Sequence, residues 1–222
     1  MQISGSVLVQ GDSNVQHLMI TDMLRLIGNQ FKKPTGLLGK IISILMIKGN
    51  GPDYDIMIPE LDIKKNDRIL EIGYGHGLGV NRISSSYDCF VSGIDFSELM
   101  FKEATKRNEE HIKQKKVELN FGNFLEVEIK PAQYDKVFCV HVIYFWNNLS
   151  EPFSKIRTGL KEGGVFCIFM ANIDFINKKK FTKDGIFNKY SIDQVVTELK
   201  RAGFEDITYN TNNKGYIIKC RK

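Results

Sequence analysis

Thirteen residues constrain this chain more than any others: Arg68–Val80, which read RILEIGYGHGLGV. A short apolar run with one carboxylate, Glu71, breaks into four glycines at alternate positions, Gly73, Gly75, Gly77 and Gly79. A tight strand-to-helix turn needs one glycine. Four in alternation behind an acidic strand end describe a backbone that takes up positive φ and brings its amides close to a bound molecule. In an open parallel sheet, ligands sit beyond the carboxyl ends of the strands. The stretch therefore predicts a fold and a site together.

The flanking pattern agrees. Short apolar strands are expected over DRILEIG, CFVSGID, VELNFG, YDKVFCVHVI and VFCIFMA. Between them run the helical stretches GVNRISSSY, SELMFKEATKRNEEHIKQK (with Ser97 as N-cap) and PFSKIRTGL, the last followed by a Gly163-Gly164 turn. Alternation of this kind gives a parallel sheet with helices on both faces, and near-continuous apolar strands suit burial on both sides. Ser191 and Gln194 form a capping box that opens the last helix, and Gly203 closes it. ITYN and GYIIKCR, joined by a polar turn, read as an antiparallel terminal hairpin. The sheet is thus mostly parallel and seven-stranded.

Upstream, residues 1–14 are polar and expected to be mobile. Val15, Leu18, Met19, Met23 and Leu26 recur at three- and four-residue steps, which predicts an amphipathic helix ending near Gly28. A second helix is expected from Leu37 to Lys48, stopped by Gly49-Asn50-Gly51-Pro52, and a short third one over Tyr54 to Leu61. Residues 1–60 are expected to form a helical cap or lid, and residues 61–222 the α/β domain.

Composition narrows the function classes. The four cysteines form no CxxC pair, and three lie in apolar runs, so buried free thiols are expected rather than disulfides or a metal site. No basic start precedes a long apolar run, and no segment reaches ~18 uninterrupted apolar residues, so a cytoplasmic chain without a membrane span is expected. The net charge of +5 is a mild excess. Its densest cluster, Lys178, Lys179, Lys180 and Lys183, reads as a solvated loop rather than a nucleic-acid face.

The glycines fail the dinucleotide fingerprint G-x-G-x-x-G/A in every register: the third small position falls on Leu78, Val80 or Arg82. The chain offers Glu71-Ile72-Gly73-Tyr74-Gly75-His76-Gly77 instead, with Asp95 ending the second strand in GIDFSELM. Taken alone Asp95 reads as a helix cap. Together the two pieces resemble the class I S-adenosylmethionine-dependent methyltransferases. FGNF (Phe121–Phe124), YDKVFCVHVIYFWNN, LKEGGVF and ELKRAGFEDI add weaker likenesses, so the resemblance covers Asn66 to Lys222. KPTGLLGKIISILMIKGNGP is similar to the N-terminal helices that cap the cofactor pocket in small bacterial methyltransferases of the ubiquinone/menaquinone-methylating type.

The resemblance implies a three-layer Rossmann-like α/β fold, S-adenosyl-L-methionine as cofactor, and in-line methyl transfer to a small-molecule acceptor. It implies that Glu71, Gly73, Tyr74, Gly75 and Gly77 hold the methionine part, that Asp95 with Phe96 takes the ribose, and that Asn123 and Phe124 flank the adenine. The family often carries an aspartate where Asn123 stands; an amide oxygen can still accept that bond. Asn50 and Met57 become cofactor neighbours. His141 is a cofactor contact and a candidate general base, and Tyr144, with Phe145 and Trp146, a candidate wall around the acceptor. Asn172 falls among the acceptor-side candidates. His76 is expected to act through its backbone, and His17 and His111 to lie on helix surfaces. Residues 172–189 would complete the lid. Two alternatives stand beside this reading: a non-catalytic cofactor-binding regulatory module, and an RNA methyltransferase, against which the absence of an Asn-Pro-Pro-aromatic stretch after the fourth strand argues. Expected partners are the small-molecule acceptor and, at most, a second copy in a homodimer.

Overall fold

The computed structural model describes residues 8–182 and 185–222, without the side chains of 8–14, 17, 47 and 48. The mobility expected of residues 1–7, the side chain of His17 and the position of Lys183 lie outside the described residues. Two long helices lead, α1 (Leu8–Lys32) and α2 (Gly36–Met57), followed by a 3₁₀ turn at Ile58–Leu61. Strand and helix then alternate: β1 (Arg68–Ile72), α3 (Leu78–Ser86), β2 (Phe90–Asp95), α4 (Glu98–Arg107), α5 (Glu109–Lys113), β3 (Val117–Phe121), β4 (Tyr134–Val140), α6 (Ser150–Gly159) and β5 (Leu160–Ala171). The short α7 (Ile173–Asn177), then α8 (Ile192–Arg201), β6 (Glu205–Thr211) and β7 (Gly215–Arg221) complete the chain.

The seven strands form one sheet in the order β3-β2-β1-β4-β5-β7-β6. All pairs are parallel up to β5, while β7 runs antiparallel to β5 and to β6. Strand order reverses between β1 and β4, so the carboxyl ends of these two and of β2 face a shared crevice. Apolar clusters cover both faces. Ile72, Cys139, Phe153, Phe166, Ile168 and Leu199 belong to one, and Met57, Leu61, Ile69, Ile83, Val91 and Phe138 to the other. All four cysteines are buried and unpaired.

Five local expectations are corrected. The first helix begins at Leu8, and Gly28 lies inside it. The second helix does not stop at Gly49-Asn50-Gly51-Pro52 but runs on to Met57, absorbing the expected third helix. Pro52 removes one helical donor, and side chains from elsewhere meet the neighbouring carbonyls: Arg82 Nη1 donates to Gly51 O at 2.7 Å, and Lys214 Nζ to Gly49 O at 3.4 Å. The long helix after β2 breaks into α4 and α5 at Asn108, whose buried amide donates to the carbonyls of Gly77 and Ala104. Gly163-Gly164 lies within β5: Leu160 pairs with Tyr134 and Val165 with Lys136, so the residues between bulge out. Met57, expected beside the cofactor, is fully buried in the core and does not line the cavity over the carboxyl ends of the strands. The capping box of Ser191 and Gln194, the Ser97 cap and the terminal hairpin form as expected.

Candidate active site

A cavity of about 760 Å³ opens over the carboxyl ends of β1, β2 and β4. Its floor begins with the glycine loop. Gly73, Gly75 and Gly77 carry φ of 69°, 52° and 74°. At Gly75 a Cβ would meet nothing within 4 Å, so its bare backbone faces open space, whereas at Gly73 one would fall 2.5 Å from the Val142 side chain. The Gly75 amide donates to Asp95 Oδ2 at 2.8 Å, and the Ser97 amide to Oδ1 at 2.8 Å. The two expected halves of a cofactor cradle are thus joined by a hydrogen bond. Each Asp95 oxygen keeps a lone pair for a further donor such as a hydroxyl, so the carboxylate and the open loop fit a ribose. Burial raises the Asp95 carboxyl to about 6, against the pull of those two amides.

Glu71 lies below the loop, fully buried. Its Oε1 accepts from the Tyr54 hydroxyl at 2.7 Å. Desolvation lifts its carboxyl to about 8, although the Tyr54 and Val80 donors pull it down, so the group is protonated at neutral pH. A Cβ on Gly79 would fall 2.5 Å from the Tyr54 ring and 2.6 Å from the Glu71 carboxylate, so that glycine admits the Tyr54–Glu71 contact.

Of the expected residues, Gly73, Tyr74, Gly75, Asp95, Phe96, Asn123, Phe124, His141 and Tyr144 line the cavity, while Glu71 and Gly77 stand behind its wall. Tyr74 commits its side chain to the core, its hydroxyl donating to Asn120 O at 3.2 Å. Asn123 Oδ1 accepts from the Leu125 amide at 3.2 Å, a local turn that leaves one lone pair. Phe124 tilts against Trp146 at 6.2 Å with Lys155 over its ring. Asn50 is in the wall, but Asn172 is not: its side chain caps α7 by accepting from Phe175 N. His76 is buried in the loop, and burial, reinforced by Arg107, lowers its imidazole to about 4, so it stays neutral. His111 is half-buried rather than fully exposed and meets Ser85 Oγ at 3.0 Å.

On the far side, His141 follows β4 with φ +59°, a left-handed conformation rare for a non-glycine residue. Its Nε2 lies 3.0 Å from Asp53 Oδ2 and its Nδ1 3.4 Å from the Tyr144 hydroxyl. Asp53 Oδ1 accepts from Lys214 Nζ at 3.2 Å. The Tyr144 hydroxyl accepts from the Ala171 amide, and burial raises its phenol well above the usual range, which keeps it neutral. With Asp53 accepting from Nε2–H, Nδ1 carries the ring's lone pair and faces the Tyr144 hydroxyl. Asp53, Tyr54 and Lys214 were missed from the sequence. The first two reach the site because α2 continues past Pro52, where the residues read as a stop; Lys214 lies in the hairpin turn, where nothing marks it.

The two segments expected as a lid meet beside the cavity. Phe31 of α1 stacks on Phe181 with ring centroids 4.4 Å apart. A Cβ on Gly28 would lie 2.7 Å from the Phe181 carbonyl, so this glycine lets the segment approach. Asn188 Nδ2 and the Tyr190 hydroxyl donate to the Trp146 carbonyl at 2.9 and 2.6 Å, tying the segment to the end of β4. Tyr144, Phe145, Trp146, Phe175 and Phe187 give this half of the cavity an aromatic wall.

A model described as a methyltransferase domain matches residues 69–164. Uncharacterized methyltransferase YdaC of Bacillus subtilis is 32% identical over 157 residues, covering 70% of this chain and 81% of that protein. The sterol 24-C-methyltransferase of Clavispora lusitaniae is 26% identical over 161 residues, 68% of this chain; the match spans only 43% of that longer protein. Among solved structures, geranyl diphosphate C-methyltransferase from Streptomyces coelicolor, in complex with S-adenosyl-L-homocysteine, superposes with a TM-score of 0.68 over 77% of this chain and 75% of that one, at 11% identity. That likeness bears on the fold, and the YdaC identity bears on the family. With glycine loop, acidic strand end and sheet order all in place, the chain belongs to the class I S-adenosylmethionine-dependent methyltransferases.

Proposed function

We propose that this enzyme transfers the methyl group to a small acceptor with an apolar body, held in the aromatic half of the cavity. The observation that carries this reading is the cavity itself. One wall is the Gly75–Asp95 cradle, and the opposite wall is the aromatic cluster under the lid. Asp95 would take the ribose hydroxyls, the Gly73–Gly75 backbone the methionine part, and Phe96, Asn123 and Phe124 the adenine. S-adenosylmethionine supplies an activated methyl on its sulfonium. The chain's own contribution is to align the acceptor and exclude water, which can account for much of the rate. His141, oriented by Asp53, accepts a proton where the acceptor must lose one. The resemblance of the N-terminal helices to quinone-methylating enzymes, and the sterol and geranyl diphosphate acceptors named for its relatives, support an apolar acceptor.

The test is titration calorimetry with S-adenosylhomocysteine. The unaltered protein is expected to bind in the micromolar range. Asp95→Ala removes a charged hydrogen-bond acceptor worth about 1.5–3 kcal/mol, a loss of about 10- to 100-fold. Gly75→Val fills the open face of the loop and strains a positive φ, and is expected to abolish binding. No binding by the unaltered protein, or full affinity in both variants, refutes the proposal. A screen of quinone, sterol and prenyl acceptors then identifies the class by mass spectrometry.

A further inference from the structure

The stripe that marks α1 as amphipathic does not face the protein. Leu18 and Met19 are 64% and 66% exposed, and Val15, Met23 and Leu26 are exposed beside them. At 100° per residue these side chains fall on one side of the helix. On α2, Leu37 is 77% exposed, and Ile41, Ile44 and Leu45 continue a second outward stripe. The polar Gln30 and Ser43 are buried, with Ile42 beside them. Both stripes belong to one helical hairpin joined at Lys33–Thr35. Soluble monomers seldom expose contiguous apolar surface on this scale without a partner.

We propose that the α1–α2 hairpin docks on an anionic lipid surface, with the cavity mouth opening against it. Two observations choose this occupant. The first is charge. Between Val15 and Met46 the chain has Arg25, Lys32, Lys33 and Lys40 against a single acid, Asp22. Arg25 and Lys40 fall at the edges of their stripes, and Lys40 makes only a long, exposed pair with Glu103 at 3.7 Å. Apolar residues bordered by cations are what an anionic headgroup layer receives. A second copy presenting the same patch would bring these cations against their own counterparts. The second observation is continuity. Leu45 is both 59% exposed in the stripe and part of the cavity wall, which the half-buried Phe31 and Lys32 near the turn of the hairpin also line. An apolar molecule leaving the lipid would reach the aromatic wall without crossing open water. That route rests on the proposed acceptor class, whereas the docking does not.

Co-sedimentation with vesicles tests it. The unaltered protein is expected to pellet with mixed phosphatidylcholine–phosphatidylglycerol vesicles and to remain in solution with pure phosphatidylcholine. Met19→Glu with Ile44→Glu is expected to lower partitioning at least about tenfold. Arg25→Gln, which leaves the apolar stripe intact, costs about fivefold at low salt. Both variants should keep the unaltered S-adenosylhomocysteine affinity, the check that they fold. Failure to pellet with either vesicle, equal binding to both, or a dimer by light scattering that the glutamate substitutions dissociate would each overturn the proposal. Loss of S-adenosylhomocysteine binding by the unaltered protein leaves the vesicle result standing, so the two proposals fail separately.

Discussion

Glu71→Gln is expected to flatten the fall in stability of this protein between about pH 6.5 and 8. Burial holds the Glu71 carboxyl near 8, against an ordinary 4.5. Its folded pKa lies above its unfolded value, so folding takes up a proton between the two. Stability is therefore full below about 4.5 and falls as pH rises toward 8. Two other groups displaced mainly by burial act lower. Asp95, raised to about 6, has the same sign, whereas His76, lowered to about 4, loses stability as pH falls below its ordinary 6.5. They oppose one another in acid and are silent above about 6.5. Between pH 6.5 and 8, Glu71 dominates, because the buried thiols, pushed up to about 11 at Cys89 and about 12 at Cys167, contribute only as the unfolded thiols ionise near 9. One proton per molecule is worth about 1.36 kcal/mol per pH unit. Over this window, with half-titration at the upper end, the unaltered protein should lose about 1.5 kcal/mol. Glutamine keeps an oxygen to accept from Tyr54 and cannot ionise. Urea unfolding at half-unit pH steps reads the slope, and the slope rather than the absolute stability is the test. Equal slopes in the two proteins would refute the assignment of a neutral Glu71.

Tyr54→Phe leaves the buried Glu71 oxygen without its donor and should cost about 1–3 kcal/mol in urea unfolding. Gly28→Ala sets two effects against each other: about 1 kcal/mol gained in helix propensity and about 1–3 kcal/mol lost to a Cβ placed 2.7 Å from the Phe181 carbonyl. The clash should win, lowering the melting temperature and speeding amide exchange around Phe181; a stabilised variant would show that the segment does not approach so closely. Asp53→Asn should leave S-adenosylhomocysteine affinity unchanged while lowering turnover about 10- to 100-fold, and an unaffected kcat would remove His141 from the reaction.

Much of this was legible before any coordinates. Strands β1, β2, β4 and β5 announce themselves as apolar runs, because a parallel strand buried on both faces cannot alternate, whereas β3 at the sheet edge alternates and is mostly exposed. The Ser191–Gln194 box and the terminal hairpin are local signals, and local geometry suffices to make them. The glycine loop and Asp95 were readable as a pair, though not the hydrogen bond that links them, since it joins residues twenty apart. Other features depend on contacts that no window of sequence contains. Asn108 breaks a helix because the Gly77 carbonyl lies within reach. Gly163-Gly164 becomes a bulge because β4 and β5 pair on either side of it. The α1 stripe has the right period for a core face, but a periodic pattern states only that the side chains share a side, not what lies opposite.

The continuation of α2 shows how far one such contact reaches. Had the helix ended at Gly49-Asn50-Gly51-Pro52, nothing in the sequence would bring Asp53 to His141 or Tyr54 to Glu71. Arg82 on α3 and Lys214 in the β6–β7 turn supply donors around the proline, and Arg82 also pairs with Asp55 at 2.8 Å. Both anchors come from elements that the sheet holds in place. The sheet therefore completes the helix, and the helix completes the site: one turn beyond Pro52 carries a carboxylate for the histidine on one side of the cavity and a phenol for the buried acid on the other. This dependence explains why the glycine-loop half of the cavity could be read from a motif, whereas the opposite half offered His141, Tyr144, Phe145 and Trp146 in the sequence without Asp53 or Lys214. The first is encoded within a strand and its turn, while the second is assembled from α2, the end of β4 and the last hairpin.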